Sequence, residues 1–154
     1  MTEDEFWKIV DSALIDEASP FFLEDHYLSY WNALEALPDK ELAGFAQMHS
    51  QVIQRALASN LPQAPFVLNQ GWSDEDLQNL LTGLISRGRK VFSDFLLDPE
   101  GALQSIDRPS LLSKCEAFGY APVAIYGART GKLLSGSVPV LEGEERAFGL
   151  PNDH

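Results

Sequence analysis

Between residues 74 and 97 apolar side chains recur every third or fourth position: Leu77, Leu80, Leu81, Leu84, Ile85, Val91, Phe92, Phe95 and Leu96. At 3.6 residues per turn they share one stripe, which predicts a helix facing a core. Ser73 offers an N-cap hydroxyl, and Asp74, Glu75 and Asp76 fill the first turn, where the positive end of the helix dipole favours carboxylates. Asp98-Pro99 ends the helix. Gly83 and Gly88 are poor helix formers, and Gly88 falls on the apolar stripe, which predicts a close helix crossing there.

Upstream, the same period predicts three more helices. Thr2 and Glu5 form a capping-box pattern ahead of Phe6, Ile9, Val10, Ala13 and Leu14, with a break expected near Ala18 because Ser19-Pro20 follows. A second helix over 21–37 presents Phe22, Leu23, Tyr27, Tyr30, Trp31, Leu34 and Leu37. A third over 39–59 buries Leu42, Phe45, Met48 or His49, Val52, Ile53, Ala56 and Leu57. Phe66-Val67-Leu68 is too short to assign by period and suits one helical turn or a short extended piece.

Beyond Pro99 a short helix is expected, then a break at Arg108-Pro109. Residues 110–130 read as one or two helices docking Leu111, Leu112, Cys115, Phe118, Ile125 and Tyr126, closed by Gly131 as C-cap. Residues 132–154 lack an amphipathic period and read as an extended, partly ordered tail. The expectation is an all-α protein: a compact bundle of about five to seven helices over residues 1–131, followed by that tail.

Length and composition agree with one core. A chain of 154 residues, 45% hydrophobic, suits a single domain. The acidic start lacks the basic and apolar regions of a secretory signal, and no stretch approaches about 20 apolar residues, so a cytoplasmic, membrane-free protein is expected. Cys115 is the single cysteine, which excludes an internal disulfide and reads as a small buried hydrophobe.

Charge changes the picture more. Residues 1–42 hold eleven acids against Lys8 and Lys40, a net of −9, whereas residues 43–133 are neutral and the tail adds −3. Nucleic acid is an unsuitable ligand, because its binders need a basic footprint to displace phosphate counterions. A basic protein is the expected partner.

The chain offers little catalytic chemistry. His26, His49 and His154 are scattered, without the paired spacing of a metal site, so no metal or cofactor is expected. Glu24-Asp25-His26 holds the side chains of a proton relay, but consecutive helical residues point in different directions. Ser135-Gly136-Ser137 lacks a nearby base, so no catalytic residue is assigned. Asp74 to Asp76 fit either a cation site or dipole complementation, and the second needs no ligand. Arg87, Arg89 and Lys90 fit either an anion site or pairing of Arg89 with an acid of the first two helices. Trp72 either covers a helix end or is an exposed interface anchor.

Several segments together resemble a known family. Asp4-Glu5-Phe6-Trp7, Asn69-Gln70-Gly71-Trp72-Ser73-Asp74, Leu84-Ile85-Ser86-Arg87-Gly88-Arg89, Asp98-Pro99, Phe118-Gly119-Tyr120 and Ala124-Ile125-Tyr126 through Thr130-Gly131 are similar, in order and spacing, to the bacterial domain of unknown function 4240. The resemblance covers most of residues 3–131 and implies Asn69, Gly71, Ser73, Asp74, Gly88 and Arg89 as motif positions. The chain departs from it at Gln70-Gly71-Trp72, where a Gly-Gly pair and Cys are expected, and at Leu81, where an arginine is expected.

Two functions follow as expectations. In the first, the chain is a non-catalytic, acidic immunity or inhibitor protein that neutralises a basic, cytosol-active bacterial toxin through Glu24, Asp25, Asp39 and Glu41, with Trp72 as an anchor. In the second, it is an enzyme or small-ligand protein with a site around Asn69, Ser73, Asp74 and Arg89.

Overall fold

A computed structural model describes residues 1–106, 112 and 114–134. These form eight α-helices and one 3-10 turn, with no strand among the described residues. The helices are α1 (Glu3–Ser12), α2 (Phe22–Glu35), α3 (Asp39–Leu57), α4 (Pro65–Asn69), α5 (Asp74–Ser86), α6 (Arg89–Leu97), α7 (Pro99–Gln104) and α8 (Cys115–Thr130). The 3-10 turn, Leu61–Gln63, leads into α4, so Phe66-Val67-Leu68 is helical.

The expected capping box at Thr2 is present, and the Ser73 N-cap proves to be a second one. Thr2 accepts from the Glu5 amide at 3.1 Å while Glu5 accepts from the Thr2 amide at 2.9 Å. Ser73 and Asp76 make the same reciprocal pair at 3.1 Å each way. Each pair satisfies two amide donors that a helix start otherwise leaves orphaned.

The predicted single helix over 74–97 is two helices. Gly88 lies between them at φ 105 and ψ 166, a region that residues with a Cβ avoid. A Cβ there would stand 3.0 Å from Asp11 Oδ1 and 3.0 Å from Leu14 Cδ1, so the expected close approach exists, made by the end of α1. The restart shifts the helical phase: Phe92 and Phe95 are buried, but Leu96 is exposed. Helix α1 also ends earlier than expected, at Ser12. Ser12 Oγ donates to the Ile9 carbonyl, and Ala13 and Leu14 close 3-10-type bonds to Val10 and Asp11, which tighten and stop the helix. Leu14, predicted on the core face, is consequently exposed.

The core lies where α5 and α8 meet α3 and α2. Phe6 packs on Phe45 with ring centroids 4.8 Å apart, Tyr30 on Phe118 at 4.8 Å, and Trp7 on Phe92 at 5.4 Å. Full burial of each such ring or of Leu80, Leu81, Leu84 and Ile85 contributes roughly 1.5–3 kcal/mol. Helix α8 runs unbroken through Pro122, so within the stretch read as one or two helices, residues 115–130 form one helix. Gly131 caps it at φ 69. Cys115, Phe118 and Ile125 are buried as expected. Leu111 and tail residues 135–154 lie outside the described residues.

Candidate partner-binding surface

The acids of residues 1–42 divide into those that hold the fold and those that do not. Every arginine among the described residues is paired with one of them. Arg55 meets Glu3 at 2.7 Å, Arg89 meets Asp4 at 2.8 Å, Arg87 meets Glu17 at 3.1 Å, and Arg129 meets Asp39 at 3.1 Å. Lys90 pairs within its own helix with Asp94 at 2.7 Å. The basic cluster around Arg87 is therefore engaged, and Arg89 ties α6 to α1 as its structural reading expects. Asp11 adds a cap from outside the helix, accepting from the Arg89 amide at 2.9 Å. Arg87 also lies over the Phe22 ring, 4.8 Å from its centroid.

The same division separates the four predicted binding carboxylates. Asp39 is bound to Arg129, which also donates to the Leu37 carbonyl at 2.7 Å and to the Glu35 carbonyl, closing the α2–α3 turn. Asp25 accepts from Ser19 Oγ at 3.2 Å. Glu24 and Glu41 are exposed and make no side-chain pair among the described residues. The four do not form one cluster: Glu24 and Asp25 open α2, whereas Asp39 and Glu41 open α3 beyond its other end. At 1.5 Å per residue, the 14 residues of α2 separate them by roughly 20 Å.

Trp72 belongs to another part of the surface. Helix α4 ends in a Schellman motif: Gly71, at φ 64, donates to the Leu68 carbonyl, and Trp72 donates its amide to the Val67 carbonyl. The indole closes the motif edge-on against Phe66 at 5.9 Å, and its Nε1 donates to Gln70 Oε1 at 2.9 Å. Its outer side borders a cleft of about 790 Å³ shared with Asp76, Asn79, Lys114, Cys115 and Glu116. Burial raises the Cys115 thiol above its ordinary range, which opposes thiolate chemistry in this cleft.

The family-motif positions are likewise parted. Asn69, Gly71, Ser73 and Asp74 stand at the start of α5, and Gly88 and Arg89 stand past its far end, 13 residues on. A single pocket around Asn69, Ser73, Asp74 and Arg89 is not formed, because the rigid length of α5 holds the two groups roughly 20 Å apart. Ser73 is spent on capping, Gly71 and Gly88 on positive φ, and Arg89 on Asp4.

Both internal histidines are buried, a feature that periodicity leaves open for His49 and obscures for His26. His49 sits beside Phe6 and Phe45, and neither ring nitrogen has a hydrogen-bond partner. Burial lowers its pKa to about 4. His26 lies between Phe22 and Phe118, with Nε2 unpartnered. Burial, then the Arg87 charge, lowers its pKa to about 4 against an opposing hydrogen bond to the Ser86 backbone. The Glu24-Asp25-His26 run thus divides, with the carboxylates in solvent and the imidazole in the core. Among the described residues no group of three His, Cys, Asp or Glu side chains could hold a metal ion, and no helix is long and apolar enough to cross a membrane.

The family described as protein of unknown function DUF4240 matches residues 1–127, and the chain belongs to it. No curated protein and no solved structure matches the chain.

Proposed function

We propose that this DUF4240 member is a non-catalytic acidic binding protein whose partner is a basic protein, acting as an immunity or inhibitor protein against a basic, cytosol-active bacterial toxin. One observation carries the reading: the described arginines are all engaged with N-terminal acids, yet Glu24 and Glu41 remain exposed and unpaired among the described residues in a chain of net charge −12. Unneutralised carboxylates at a surface raise the rate of encounter with a cationic protein and disfavour anionic ones. Ser73, Gly71, Gly88 and Arg89 are accounted for by a cap, two positive-φ turns and an ion pair, which favours a structural use of the motif over a substrate site.

The test has two stages. Affinity capture from the native cytosol, followed by co-expression of the captured protein with and without this chain, should yield a basic partner whose growth arrest is relieved by the wild type. Glu24→Lys, Asp25→Lys and Glu41→Lys together should abolish the relief while leaving helical circular dichroism unchanged. Full relief by that variant refutes the reading. The small-ligand alternative retains one favourable observation, the cleft beside Trp72, whose volume falls within the usual range for ligand pockets. A ligand seated there would change Trp72 fluorescence, and Asn79→Ala would weaken the response.

A further inference from the structure

Helix α2 contributes one face to the core and sets another in solvent. His26, Tyr30 and Leu34 are buried, while Glu24, Asp25, Leu28, Asn32 and Glu35 are exposed, following Phe21 at the N-cap. Those exposed positions recur at three- and four-residue steps, so they form one stripe rather than a scatter. The stripe runs roughly 20 Å along the helix.

Its composition is unusual for a solvated face. Phe21 is 66% exposed and Leu28 is 57% exposed, two turns apart on the same side. A single exposed leucine needs no explanation. Here two large apolar side chains share a stripe with Glu24, Asp25 and Glu35, and α2 contains neither Lys nor Arg. The fold does not require the pair: Phe21 makes no side-chain cap, and the helix is already held by its contacts with α8 and α1. Apolar seams flanked by charge are how helices select one another, with the flanking charges setting the partner.

We propose that the outward face of α2 is a docking surface for a basic amphipathic helix of the protein partner. The apolar side of that helix covers Phe21 and Leu28, and its lysines or arginines meet Glu24, Asp25 and Glu35. This rests on the acidic-binder reading and adds where the partner lies and what it presents. Charge complementarity identifies the occupant, because a stripe with three carboxylates and no Lys or Arg of α2 itself repels an acidic helix and leaves a neutral one without charge partners. The surface also joins the two separated acid groups, since α2 spans the distance between them.

The probe is a synthetic 18-residue peptide with leucine at helical three- and four-residue spacing and lysine elsewhere. Two controls accompany it, one of the same composition in scrambled order and one with glutamate for lysine. Binding to the full chain is mapped by amide chemical shifts and titrated at two salt concentrations. The patterned peptide should perturb residues 21–35 and bind at least ten-fold tighter than either control. Phe21→Ser with Leu28→Ser should weaken it at least ten-fold. Glu24→Gln, Asp25→Asn and Glu35→Gln together should weaken it and flatten the salt dependence.

If the apolar pair can be replaced without effect while neutralising the acids still matters, the docking surface is wrong and the acidic-binder reading stands. Equal binding of the scrambled peptide, or perturbations away from α2, also overturns the docking surface. If neither set of changes matters, both readings fall. Circular dichroism of each variant checks that helicity is retained.

Discussion

Helices α2 and α5 are of similar length and both open with carboxylates, yet they are used differently. In α5 eight of 13 residues are buried, including the unbroken run Leu80 to Ser86, and Asp76 of the opening acids completes the Ser73 capping box. In α2 only three of 14 are buried, the N-cap Phe21 makes no side-chain bond, and Glu24 is left unpaired. Packing therefore accounts for most of α5, whereas it leaves the outer stripe of α2 unexplained. Residues that the fold does not require are where a surface can be shaped for a partner.

Truncation should break this symmetry most strongly. Leu84→Ala removes a fully buried side chain and should cost about 2–5 kcal/mol in denaturant unfolding, whereas Leu28→Ala should change stability by less than about 0.5 kcal/mol. Equal costs would mean that the buried and exposed faces have been confused.

Acid provides the next contrast, because it reaches the core through His49 while protonation at the surface meets solvent. The folded pKa of about 4 lies below the ordinary 6.5, so the unfolded chain takes up the proton first. Stability from the neutral ring is fully present above about pH 6.5 and is lost as pH falls toward about 4, by an amount on the order of 3 kcal/mol. Unfolding free energy measured across that window should become shallower in His49→Leu, with the remaining slope carried by His26, and an unaltered profile would remove His49 as a cause.

The junction after α5 is the third test. Gly88→Ala should cost about 1–3 kcal/mol, since it combines a disfavoured φ with a Cβ pressed against Asp11 and Leu14. Smallest of all should be Glu24→Gln, below about 0.5 kcal/mol in stability, with its consequence confined to partner binding. A large stability loss there would place Glu24 in the fold rather than at an interface.

The helical architecture was legible because burial imposes a period, and the Thr2 capping box and Ser73 N-cap because their residue types are specific, though the return bond at Asp76 was not. The break at Gly88 was not, since apolar spacing continues across it and a positive φ leaves no periodic mark. The early end of α1 depends on Ser12 and on Asp11 being drawn to the Arg89 amide, a contact 78 residues away in sequence. Trp72 could be placed at a helix end by composition, but its role in the Schellman motif required knowing that 65–69 is helical. Of the four acids expected to bind a partner, Asp39 could not be told from Glu41 by type or position, because Arg129 comes to Asp39 from 90 residues downstream.

The most direct test of the acidic surface is the association rate with the captured partner, followed by stopped flow from low to high salt. For the wild type the rate should fall steeply with ionic strength, and for Glu24→Lys, Asp25→Lys, Glu41→Lys it should be roughly ten-fold lower at low salt with a flattened slope. Asp39 is left intact so that the Arg129 tether stays closed. An unchanged rate and an unchanged salt slope in a correctly folded variant would contradict the account.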